Sequence, residues 1–266
     1  MSNRPATRRI TQTELSTIDL GRLGVDKKHV AALLEVDVTQ ARHSIRIANR
    51  GAHSTVSFLA WMVKSVATTL SIHRDEYRGS RSSASEDDIK VSVVVERLID
   101  DRRLLFPVVI HQADSARLTD IEGMIHRART RELDAASVVC GNRPLLSRLY
   151  TLLPGFVRRR LVERTAERLH KQAVAGTGRT PHISITPAGM GGRIRGWFIP
   201  RAINAISIGV GAVTQKAVVV NGAIRPREVL HMAFVIEAGL ADKTVSSRWI
   251  RTLVRAMESG RELSFN

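Results

Sequence analysis

From residue 180 to about residue 237 the sequence stops reading as helix, and that tract limits the fold more than any other. Residues 183–186, 205–213, 217–220 and 229–237 are apolar, β-branched runs of strand length. Asn221-Gly222 is a turn dipeptide between the third and fourth of them. A chain ending in this many strands must build a sheet, and the sheet must be covered. The first half supplies the cover. Residues 39–49 read as a short helix stopped at Asn49-Arg50-Gly51, and 56–72 as a longer one. Leu59, Met62, Val63, Val66 and Leu70 keep the spacing of one buried face, with Lys64, Ser65 and Thr68 on the others. Residues 118–131 and 245–257 are two more helices, the last with Val245, Trp249, Leu253 and Met257 on one side. Strands are expected at 30–38, 89–95 and 106–110, and a Ser-rich charged loop at 78–88.

The order of elements gives an α+β, or mixed α/β, class. No linker divides the chain, so one domain spanning 29–266 is expected behind a polar, basic N-terminal arm of 1–28. Its 266 residues can bury a sizeable core without disulfides or structural metals. The single cysteine, Cys140, excludes a disulfide framework and multi-cysteine metal sites. The longest apolar stretch, 56–70, is too short for a bilayer and contains Lys64, and the N-terminus lacks a signal-peptide core. A cytoplasmic protein with no membrane partner is the expectation.

The net charge of +16 invites a nucleic-acid reading. Of 41 basic residues, however, 34 are arginine, a bias that GC-rich codon usage also produces. Aromatic residues make up only 4%, too few for a stacking surface, and no nucleic-acid partner is expected. A basic surface also draws in anionic substrates such as CoA or a carrier-bound phosphopantetheine. Residues 141–176 read as a helical tract broken at Pro154-Gly155, whose Arg158, Arg159, Arg160, Arg164, Arg168 and Lys171 form a solvated face.

Standard catalytic signatures are missing: there is no G-x-G-x-x-G, Walker loop, H-E-x-x-H or G-x-S-x-G. The nine histidines form no ligand-spaced pair, so no metal is expected. One local cluster stands out. Ser184 and Thr186 lie two apart on a strand, hence on one face, with His182 on the same side.

Taken in order, the segments LLEVDVTQAR (33–42), SFLAWMVKSVA (57–67), DIKVSVVVER (88–97), FPVVIHQADSARLTDIEGMI (106–125), ISITPAGMGG (183–192), ISIGVGAVTQKAVVVNGAIRPREVL (206–230) and SSRWIRTLVRAMESGREL (246–263) form a pattern. It resembles the catalytic domain of the dihydrolipoyl acyltransferases of 2-oxo-acid dehydrogenase complexes, from about residue 29 to the end. The resemblance implies a chloramphenicol acetyltransferase-like, CoA-dependent acyltransferase fold. It implies a homotrimer with active sites in channels between subunits. There a histidine would act as base on the acceptor and a hydroxyl from the neighbour would hold the oxyanion.

That family carries D-H-x-x-x-D-G after a strand. Here the segment runs from Glu237 to Lys243: Glu237 replaces the first acid, Ala238 the histidine and Lys243 the glycine, while Asp242 is kept. Thr186 falls at the oxyanion hydroxyl. The resemblance therefore implies Thr186, Asp242 and the altered Ala238 as the catalytic positions. His182, Ser184, Glu237, Lys243, Met190 and Phe106 are expected to bind substrate. No resident cofactor is expected, acyl-CoA being at most a co-substrate.

Three functions fit. The first is a repurposed tailoring enzyme that cyclises a polyketide-type small molecule, free or carrier-bound. The second is an acyltransferase with a relocated base, for which His182 and His231 are the nearest candidates in sequence. The third is a non-catalytic scaffold.

Overall fold

Strict alternation along the central strands divides their side chains into two sets. Isoleucines and valines point one way, and hydroxyls and glycines the other. In the computed structural model, residues 29–50, 55–74, 88–99, 102–130, 181, 183–189, 195–200, 204, 206–237 and 243–260 are described, together with 154, 157 and 160. The chain divides into two compact units, Met1–Asp26 with Glu132–Arg168, and Lys27–Arg131 with Leu169–Asn266. The sheet and the helices that cover it belong to the second. The expected arm, most of the arginine-rich tract, Cys140 and the 78–87 stretch lie outside the described residues.

The elements are β1 (His29–Asp37), α1 (Thr39–Asn49), α2 (Phe58–Ile72), β2 (Val91–Ile99), β3 (Arg102–Ile110), α3 (Leu118–Thr130), β4 (Ile183–Thr186), β5 (Ile206–Val220), β6 (Ala223–Glu237) and α4 (Lys243–Ser259). One six-stranded sheet runs β1-β6-β5-β4-β2-β3. Its centre, β2, β4 and β5, is parallel, and the remaining pairs are antiparallel. The mixed class holds.

One face carries Val91, Val93, Ile183, Ile185, Ile206, Ile208, Met232 and Phe234, all without exposed surface. These residues pack in one core cluster with the helices' Trp61, Met62, Val63, Val66, Ile121, Ile125, Trp249, Leu253 and Met257. The Phe234 and Trp249 rings meet edge-on at 5.8 Å. Helix α2 starts where Ser57 caps it, its hydroxyl accepting from the Ala60 N–H at 3.2 Å. Helix α3 carries Asp120 in its first turn and Arg127 and Arg129 in its last, as the helix dipole favours.

Three expectations need correction. Residues 205–213 and 217–220 are not two strands but one, β5, with an irregularity between Val210 and Val213. Gln215 and Lys216 looked like a break. They lie on an arm whose residues alternate between exposed and half-buried, where polar side chains suit a strand. β6 likewise starts at Ala223, through Pro226 and three charged residues, and pairs with β5 around the left-handed Asn221-Gly222 turn (φ 51° and 79°). Finally, neither Ser65 nor Lys64 is simply an outer-face residue. Ser65 is fully buried, and Lys64 Nζ donates to the carbonyls of Asp114 and Ala116 at 2.6 and 2.7 Å.

Near the end of α4, burial and then the neighbouring Asp37 carboxylate push the Glu258 carboxyl above its ordinary range, although an Asp37 N–H bond works the other way. A folded state that holds this proton more tightly loses stability as pH rises from the unfolded carboxylate range through the raised one. Glu258→Gln should therefore raise the urea midpoint at pH 7 and leave it unchanged near pH 3. Because the group is largely exposed, the gain should be at most about 0.5 kcal/mol.

Candidate functional site

The second face of the sheet is where the chemistry-bearing residues collect. Register fixes which they are, since directly paired residues share a face. Ser92 pairs with Ser184, and Ser184 with Ser207, so three hydroxyls form a row across β2, β4 and β5. Ser184 Oγ donates to Ser207 Oγ at 2.8 Å, and Ser207 is fully buried. Thr186, two residues beyond Ser184, is half-buried at the end of β4 and pairs with Gly209. Gly209 in turn pairs with Ala233 of β6. The neighbourhood of Thr186 on these strands is therefore small and uncharged: Ser184, Ser207, Gly209, Ala233 and Val235.

Residues 195–200 cross this face as a strap. A Cβ on Gly209 would meet the Phe198 carbonyl oxygen, and Pro200 Cδ at 2.6 Å. A Cβ on Gly211 would meet the Gly196 carbonyl oxygen and His231 Cβ at 3.1 Å. Both glycines are thus required by close backbone approach rather than by a special φ. The strap is pinned at Trp197. Its indole N–H donates to the Leu34 carbonyl at 3.0 Å, and its ring stands edge-on to His231 at 4.9 Å. Trp197, Phe198 and Ile199 are nonetheless 40%, 40% and 56% exposed, an apolar edge on the strap.

His231, a candidate base on sequence proximity, is held in place by its own subunit. It is buried, with Nδ1 at 3.1 Å from the Ala212 carbonyl and Nε2 at 3.6 Å from Glu35 Oε1. Glu35 also accepts from Lys216 Nζ at 2.6 Å. His231 lies two strands and two residues away from Thr186 of the same chain, about 12 Å at ordinary sheet spacings. With both nitrogens facing fixed oxygens and the strap between, it cannot serve that hydroxyl.

Of the other expected site residues, Glu237 closes β6 opposite His29. Lys243 opens α4, and Phe106 pairs with Val95 on β3; their side chains are not described. His182, Met190, Ala238 and Asp242 lie outside the described residues. Sequence reading missed Ser92, Ser207, Trp197 and His29 as members of this face. Only the strand register, which joins segments far apart in sequence, brings them together. Among the described residues no three His, Cys, Asp or Glu side chains gather as a metal site, and no helix is long and apolar enough to cross a membrane.

This architecture is the CoA-dependent acyltransferase fold of the dihydrolipoyl acyltransferase catalytic cores. A probable dihydrolipoamide acetyltransferase from Listeria monocytogenes is similar over 99% of this chain and 97% of its own, at 14% identity and a TM-score of 0.65. The dihydrolipoamide acetyltransferase of Azotobacter vinelandii is similar over 98% and 93%, at 15% identity and a TM-score of 0.64. The truncated catalytic core of a Thermoplasma acidophilum 2-oxoacid dehydrogenase complex is similar over 98% and 99%, at 16% identity and a TM-score of 0.59. No family model and no curated protein matches the sequence.

Gly209→Ala should disturb the strap. The new methyl group meets a backbone oxygen that cannot move aside cheaply, so a loss of about 1–3 kcal/mol is expected in urea unfolding. Ala233→Gly, which adds nothing to the same face, should not shift the exposed Trp197 emission that Gly209→Ala alters.

Proposed function

We propose that this protein is an acyltransferase that moves an acyl group from CoA or a carrier thiol to a thiol or hydroxyl acceptor. The observation that carries this reading is the placement of Thr186. It ends a central strand on the face away from the helices, beside a backbone strap that only Gly209 admits. In such a position its hydroxyl can donate to the oxyanion that develops on the attacked carbonyl. The resemblance stated from sequence assigns that role to the same residue. In the Azotobacter vinelandii enzyme a serine, a histidine and an asparagine take part in catalysis. Thr186, Ala238 and Asp242 stand at the same intervals in this chain, which supports reading Ala238 as the altered base position.

The acyl chain would lie against the apolar strap and the small residues Ala233 and Val235, as an elongated substrate requires. By extension from the similar cores, the working unit is a homotrimer with the site between subunits. Register supports this. Glu237, next in sequence to the altered position, lies about 16 Å from Thr186 of its own chain at ordinary sheet spacings, so a site that uses both must draw them from two copies.

A second reading has its own support in Ala238 and in the uncharged face around Thr186. A site of shape and hydroxyls without a base suits cyclisation or cycloaddition of a polyketide-type substrate, where orientation supplies the rate.

Acyl-CoA turnover with a thiol trap separates the two. Acyl transfer predicts CoA release by the wild type and a fall of about 10²–10³-fold in kcat for Thr186→Ala, with Thr186→Ser largely active. Absence of CoA release from short and medium acyl donors, with the protein folded and trimeric, rejects acyl transfer and leaves the cyclisation reading.

A further inference from the structure

If Ala238 stands where a base belongs, another group must take the proton, and the described strands offer one that proximity in sequence does not reveal. His29 opens β1, and its directly paired residue on β6 is Glu237. Directly opposed residues in an antiparallel pair share a face and bring their Cβ atoms to about 5 Å. His29 therefore stands on the hydroxyl face of the sheet, beside the residue that immediately precedes Ala238.

Its ring differs from that of His231 in one decisive respect. His29 Nε2 is buried and has no hydrogen-bond partner among the described residues. A buried nitrogen left unpaired is costly, and native structures keep few of them. His231, by comparison, has both nitrogens facing protein oxygens. Glu237 is the acid directly across the ladder from His29.

The position also fits the subunit arithmetic. His29 lies about 20 Å from Thr186 of its own chain at ordinary sheet spacings, three strands over and four residues along. At that distance only a second copy can bring a Thr186 to it.

We propose that His29 is the general base of this protein, replacing the histidine lost at Ala238, with Glu237 as the residue that positions and charge-balances its ring. The inference rests on the acyltransferase reading. His29 Nε2 takes the proton from the acceptor thiol or hydroxyl as its sulfur or oxygen bonds to the acyl carbonyl carbon. Thr186 of a second copy donates to the resulting oxyanion. As the carbonyl re-forms, the carbon–sulfur bond to CoA or the carrier breaks, and the departing thiolate recovers the proton from the His29 imidazolium. No redox partner is needed.

The test measures kcat and KM for an acyl-CoA and a thiol acceptor in the wild type, His29→Ala, His29→Gln and the double variant His29→Ala/Ala238→His. Unfolding midpoints and trimer mass serve as folding controls. The proposal expects kcat to fall about 10²–10⁴-fold in both single variants, with KM changed only a few-fold. Added imidazole should restore His29→Ala in proportion to its concentration, and the double variant should recover activity through the returned histidine. A merely structural role for His29 predicts neither recovery. An active wild type whose rate survives His29→Gln in a folded trimer overturns this assignment and leaves the acyltransferase reading intact. A wild type inactive on every acyl donor overturns both, unless Ala238→His alone creates turnover. That outcome would show an intact acyl site without a base and would reject His29 only.

Discussion

The geometry of the site depends on two side chains that are not there. At Gly209 and Gly211 the strap's carbonyl oxygens come so close to the sheet that no Cβ fits between them. That approach brings the backbone of 196–198 down onto Gly211 and onto Gly209, the ladder partner of Thr186, and the Trp197 ring, braced on His231 and hydrogen-bonded to the Leu34 carbonyl, keeps it there. Elsewhere the sheet is a platform held by ordinary apolar burial. Here it becomes a wall, and the wall is made of backbone whose position leaves little freedom.

The two faces divide the requirements of stability and chemistry. On the helix side, Val91, Val93, Ile183, Ile185, Ile206 and Ile208 of the parallel centre are aliphatic and buried, so the hydrophobic term is collected there. On the other side, the same strands carry Ser92, Ser184, Ser207, Thr186 and Gly209, which pack no core, and the Ser184 hydroxyl donates to that of Ser207. Period-two alternation allows both at once, because substitution on one face leaves the other's contacts alone. A one-residue slip of β4 would exchange the two sets, placing Ile183 and Ile185 where Ser184 and Thr186 stand. The buried isoleucines thus also fix the hydroxyl register.

Much of the scaffold was legible in the sequence because its signals are local. Helix α1 and strand β4 match their expected limits, and the helices α2, α3 and α4 differ at their ends by a few residues at most. The β5–β6 arm was not legible beyond the core. Its outer half places polar and apolar residues in blocks rather than in alternation, with neither face deeply buried, and Pro226 argues locally against a strand. The hydroxyls of β4 were singled out correctly as one face of a strand, yet Ser92 and Ser207 joined them only through pairing. His29 was passed over for the same reason. Nothing within a few residues of it marks a special role. What sets it apart is Glu237, some two hundred residues away in sequence and opposite it in the sheet. Non-local pairing of this kind leaves no trace in periodicity.

Thr186 and His29 are also anchored very differently. Strand β4 has a hydrogen-bonded neighbour on each side, β2 and β5, so Thr186 can leave its place only if the middle of the sheet opens. β1 lies at the border of the sheet, and His29 is its first residue, held in the ladder from the β6 side. Backbone amides at such a strand end exchange with solvent through small local openings, whereas those in the centre wait for global unfolding. The two halves of the proposed site therefore sit in parts of the sheet that open at different cost. Warming that is far too mild to melt the core would already populate frayed β1, and catalysis would decline with the fraying of one strand end while the rest of the sheet, by every bulk measure of folding, stayed intact.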